Sequence, residues 1–175
     1  MSSQLLQTPS DLLVVGILAA ATGLAAVIDL RTRRIPNALT GSLAMVGLGL
    51  AATQLGTVGI GGAIIGCLLG FAFMLPGNVF GATGAGDVKL FAAAGALLGP
   101  APTVRAFFFT AIAGGVLALI VALRRRRLAQ TIGATARLVA DRTSAMAAIE
   151  SPAADNRFAY APAIAIGVVM AALSW

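Results

Sequence analysis

The chain of 175 residues contains no histidine and a single cysteine, Cys67. Without histidine there is no Ser-His or Cys-His nucleophile pair and no imidazole metal ligand. One cysteine leaves no disulfide and no thiolate zinc cluster. Charge is scarce as well: 10% of the residues carry it, and only six of those are acidic. Carboxylate chemistry must therefore come from Asp11, Asp29, Asp87, Asp141, Glu150 or Asp155. No Lys or Arg precedes the first apolar run, so that run lacks the basic front of a cleaved secretory signal and reads as a span.

What fills the chain instead is apolar sequence, 59% of residues, with a mean hydropathy of +0.96. Soluble domains carry about a quarter charged residues, so this composition belongs to an integral membrane protein. The net charge of +6 then reads as basic loops that set orientation and touch anionic lipid, not as a nucleic-acid surface. The length suits one polytopic membrane domain over residues 1–175.

Five segments approach the roughly 20 apolar residues that a crossing helix needs: Leu12–Ile28, Ala38–Leu55, Val58–Leu75, Val104–Leu123 and Phe158–Trp175. A sixth, Leu90–Gly99, is short. Counting it as a span places Arg31, Arg33, Arg34, Lys89, Arg124–Arg127, Arg137, Arg142 and Arg157 on one side of the membrane, against Arg105 alone on the other. Leaving it out divides the basic residues almost evenly, so the positive-inside bias selects six spans. The expected fold is an all-α bundle of six transmembrane helices, the fourth short, with both termini periplasmic. The polar stretch 124–157 is expected to be an interfacial helix on the inner leaflet, with a cytoplasmic loop as the alternative. Within the third span, Gly62, Gly66 and Gly70 form a smooth stripe for close helix packing, and Cys67 beside it reads as a small apolar filler. No internal repeat suggests a transporter built from two halves.

Of the six acids, Asp29 and Asp87 alone stand at the cytoplasmic ends of spans, each beside a turn signal. Asp29 closes the first span in "AAVIDLRTRRIPNALT", where Pro36 suits the first turn of the next helix. An acid there faces the negative end of its own helix dipole, which structure alone would not favour. Asp87 follows "GATGAG". That run fits neither a Walker loop nor a dinucleotide fingerprint, because the spacing is reversed and no strand precedes it. Taken singly, Asp87 reads as a helix N-cap and Asp29 as a salt-bridged helix end. Taken together, two carboxyls on one membrane face suggest an aspartic dyad. Converging carboxyls share a proton, so one can activate a water while the other polarises a carbonyl. The pattern requires no cofactor and no metal. Two other readings stay open: a small channel or transporter subunit with Asp29 and Asp87 as cation sites, and a G-x-G-D intramembrane protease acting on other membrane proteins.

These residues also carry a family resemblance. "GAGDVKL", with Gly84, Gly86, Asp87 and Lys89, resembles the G-x-G-D-x-K-L signature of type IV prepilin peptidases. "DLRTRRIPNALT", with Asp29, Pro36 and Asn37, resembles the family's first motif, and "RFAYAPAIAIG", with Tyr160 and Pro162, its terminal segment. The resemblance implies an aspartic endopeptidase of the bacterial inner membrane with Asp29 and Asp87 as its catalytic pair. Its substrates would be prepilin-like proteins, cut at the cytoplasmic face between a short basic leader and an apolar helix. The chain lacks the cysteine motifs of the larger bifunctional members and is similar to the compact ones that serve Flp-type pili, so no methylation is expected.

Overall fold

The computed structural model describes residues 9–124 and 159–174. Among these, all regular structure is helical: α1 Pro9–Thr32, α2 Asn37–Ala52, α3 Ile60–Val79, α4 Ala85–Leu98, α5 Pro100–Arg124 and α6 Ala161–Leu173. α1, α3 and α5 are long and apolar enough to cross a bilayer; α2 and α6 are shorter apolar helices. Large apolar side chains such as Leu24, Met45, Leu68, Phe108 and Ile112 point outward, while alanine, glycine and threonine fill much of the interior. That inversion suits lipid as the surrounding solvent, where close packing of small residues replaces the hydrophobic drive between helices. The protein is an integral membrane protein.

The expected helices form with shifted ends. α1 runs to Thr32, four residues past Ile28, and stops where Arg33 takes φ +52 and its N–H bonds the Asp29 carbonyl at 2.8 Å. A left-handed residue just past the last turn is a common helix stop, though outside glycine it costs about 1–2 kcal/mol. α3 continues through Pro76 to Val79, beyond the expected end at Leu75. Pro36 falls one position earlier than the first helical turn. It is the residue before α2, extended at ψ 134, and its carbonyl accepts from Leu39 and Thr40. The expected interfacial helix of 124–157 lies, beyond Arg124, outside the described residues.

α4 is the centre of the bundle. At 14 residues it rises only about 21 Å, yet all of it from Asp87 to Leu98 is buried except Lys89. α2 and α3 barely touch each other, and each packs instead on α4. The α3 contact is backbone on backbone. Cβ atoms added at Gly66 and at Gly95 would each strike the other's carbonyl oxygen, and one at Gly70 would lie 2.8 Å from the Phe91 oxygen. The glycine stripe therefore works at Gly66 and Gly70. Gly62 is not part of it, because it meets Val58 in the α2–α3 link and Pro100 at the start of α5. Gly99 alone separates α4 from α5. Its φ of +76 and the Val58 side chain, 2.6 Å from where a Cβ would stand, restrict that position to glycine.

α1 packs mainly on α6, and α6 on α5. Gly167 brings α6 against Ala106 and Thr110 of α5, with no room for a side chain. Arg105, expected to extend toward the outer surface, donates to the Ser174 carbonyl at the C-terminal end of α6. A cation there opposes the negative end of the helix dipole.

Candidate active site

Three chain connections meet at one end of the bundle: the α1–α2 link, the α3–α4 link and the entry to α6. Between them lies a cavity of about 270 Å³ whose wall includes Asp29, Arg33, Ile35, Thr83, Asp87 and Lys89. Asp29 comes from the last turn of α1 and Asp87 from the first turn of α4, and both are buried, 6% and 5% exposed. They are close enough for their charges to repel.

Each carboxyl has one oxygen held by a backbone donor. Asp87 is not the N-cap that it resembles when taken singly. The cap is Gly84, which has no side chain to offer, and Asp87 reaches back from the third helical position to accept the Gly84 N–H at 2.9 Å. This is the carboxylate half of a capping box. Its other oxygen, Oδ1, is buried with no partner among the described residues. A buried acceptor in a cavity wall calls for a water or a substrate donor. Asp29 Oδ2 accepts the Ala161 N–H at 3.3 Å. Ala161 opens α6, so its amide is one of that helix's free donors. The unfavourable end of α1 is thereby offset by the favourable start of α6, and both acids sit at positive helix termini.

The motif residues surround this pair. Lys89 Nζ donates to Asn37 Oδ1 at 2.9 Å, joining the first turns of α4 and α2 and linking two motifs 52 positions apart. A double-mutant cycle should detect that bond. Lys89→Met and Asn37→Leu are each expected to lower stability by about 1 kcal/mol, and the pair by less than the sum, read by thermal unfolding in detergent. Gly86 packs against the α1–α2 link, where a Cβ would lie 3.0 Å from Ile35 Cβ. Tyr160 precedes α6, half-buried; its ring lies over Gly114 and its hydroxyl donates to the Thr110 carbonyl in a long bond of 3.4 Å. Pro162 occupies the first turn of α6, where a missing N–H leaves no bond unmade. Among the described residues, no three His, Cys, Asp or Glu side chains gather where they could hold a metal.

Three contributors were not visible in the sequence. The Ala161 amide has no side-chain signal at all. Thr83, whose buried hydroxyl lacks a partner among the described residues, looked like one small residue in a flexible run. Ile35 stood out only as the neighbour of a proline.

An all-helical membrane protein with paired buried carboxyls at one end of its bundle is a particular kind of object, and one family accounts for it. The model of the type IV leader peptidase family matches residues 16–119. The match covers more than half of the chain, which belongs to that family of peptidases. It includes Asp29 and Asp87 and stops before α6. Comparison with the curated proteins and with the solved structures gives no significant match.

Proposed function

We propose that the chain is an aspartic endopeptidase that removes the basic leader of prepilin-like proteins, with Asp29 and Asp87 as the catalytic pair. The observation that carries this reading is one cavity walled by two buried carboxyls from separate helices, one of which has an oxygen without a partner among the described residues. A peptide bond in that cavity meets one ionised and one protonated carboxyl. The ionised member takes a proton from water as the water oxygen bonds the scissile carbonyl carbon; the protonated member donates to the carbonyl oxygen. Collapse of the tetrahedral adduct breaks the C–N bond: the leaving nitrogen takes the proton that the first carboxyl drew from water, and the adduct's hydroxyl returns its proton to the second. The backbone donors at Gly84 and Ala161 orient the two carboxyls without neutralising them.

In this reading all six helices cross the inner membrane. The helix ends support it. The connections around residues 33–36, 80–84 and 159–160 share the cavity end. At the other end Thr57 bonds the Leu97 carbonyl, Val58 meets Gly99, and Arg105 reaches Ser174. The basic α1–α2 link supports a cytoplasmic position for the cavity end. α4 needs no full hydrophobic length, because its neighbours shield it from lipid. A basic leader entering the cavity meets Arg33 and Arg34, and the two aspartates are its only acidic counterparts among the lining residues.

Co-expression with a prepilin-like substrate tests the assignment. The expected result is a substrate shortened by its leader, with mass spectrometry placing the cut directly before the apolar helix. An uncut substrate beside abundant folded enzyme would refute it. A companion test uses Gly86→Val. The branched side chain would push α4's first turn away from Ile35 and draw Asp87 off Asp29, so processing should fall by roughly 10²-fold. Unchanged processing would show that this close approach is incidental.

A further inference from the structure

The site has an apolar neighbour. Because α2 and α3 lean on α4 and barely touch each other, an open groove of about 310 Å³ lies between them. Its walls include Gly41, Ala44, Cys67, Phe71, Ala92 and Ala93. Asn37 and Lys89 line both this groove and the aspartate cavity, so the two are continuous across the Asn37–Lys89 hydrogen bond. From Asn37 to Ala44 the groove follows α2 away from the cavity for about 10 Å, roughly two helical turns. Gly41 meets nothing within 4 Å of where its Cβ would be. Small side chains on α2 and α4, with Phe71 as one flank, are the kind of surface on which another helix packs closely.

The geometry points to this groove as the seat of the substrate's own apolar helix, held against α2, α3 and α4 while the chain just before it crosses into the aspartate cavity. The inference rests on the proposed peptidase reading and adds the subsite that positions the substrate. A leader protease of this kind must measure where an apolar helix begins. A helix seated in the groove has its first turn beside Asn37 and Lys89, next to the carboxyls. Selection would then depend on the helix following the cut as well as on the leader. An occupant with no fixed register, such as a lipid chain, would leave the cut unmeasured.

The chain's single cysteine supplies the test. A substrate with a basic leader and an apolar helix of about 20 residues is given one cysteine at successive helix positions. It is reconstituted with the full-length chain, both wild type and Asp87→Asn, and oxidised. Disulfides to Cys67 are expected at positions three or four apart, on one face of the first turns. In parallel, Gly41→Leu should fill the groove and slow processing of the helix-bearing substrate about tenfold. Gly115→Leu, at an exposed glycine on α5 with equal room, should leave the rate unchanged. Cross-linking is scored separately from cleavage. Processing without a helical cross-linking pattern overturns the groove and leaves the peptidase reading intact. One-faced cross-linking without processing does the reverse. A flat pattern together with a wild-type rate for Gly41→Leu identifies lipid as the occupant and ends the inference.

Discussion

Asn in place of either Asp29 or Asp87 is expected to stop leader removal, with a loss of roughly 10²–10⁴-fold. The substitution is nearly isosteric, and the amide oxygen can still accept the backbone N–H that holds each side chain, from Gly84 or from Ala161. Packing is preserved, while the capacity to take up or release a proton is lost. In the proposed mechanism the two carboxyls act on one water and one carbonyl, so the double variant should be scarcely slower than either single one. Gel mobility of a co-expressed substrate reads the activity, and thermal unfolding in detergent checks that both variants fold. Full processing by either single variant would dissolve the pair.

The second large effect concerns the scaffold. Gly66→Ala or Gly95→Ala adds one methyl group where α3 and α4 touch backbone to backbone, and in each case the obstacle is a carbonyl oxygen that has no rotamer to change. Overpacking usually costs about 1–3 kcal/mol, and a site with rigid walls belongs at the upper end of that range. α4 carries Asp87, so separating the helices should lower processing along with the unfolding midpoint. The two costs should not add, since the first substitution opens the gap the second would need. Gly16→Ala, at an exposed position with nothing within 4 Å, is the matched control and should match or slightly exceed wild-type stability. A wild-type midpoint for Gly66→Ala would mean that the helices do not cross there.

Much of this arrangement was legible in the residues, for identifiable reasons. Hydropathy finds helices whose apolar surface faces lipid, so α1, α3 and α5 were plain. Charge balance counted Leu90–Gly99 as a sixth span despite its length, and all of it but Gly99 falls in α4; the signatures around Asp29 and Asp87 brought two distant carboxyls into one hypothesis. Long-range backbone contacts stayed hidden. "AAAGALLG" reads as ordinary apolar helix, and nothing in it marks Gly95 as the partner of Gly66. Asp29 looked poorly placed because a sequence displays only the helix that carries a side chain, not the terminus of a different helix that receives it. The short polar motif residues fell between these cases: Asn37 and Lys89 were recognisable as signature positions, but their bond to each other came only with the fold.

The amide that holds Asp29 belongs to Ala161, 132 positions downstream, at the start of α6. During translation the Asp29 carboxyl is made well before its polar anchor, which emerges only after α2, α3, α4 and α5. With the proposed catalytic pair, a chain translated only as far as α5 is expected to be inactive, its Asp29 still without the α6 donor.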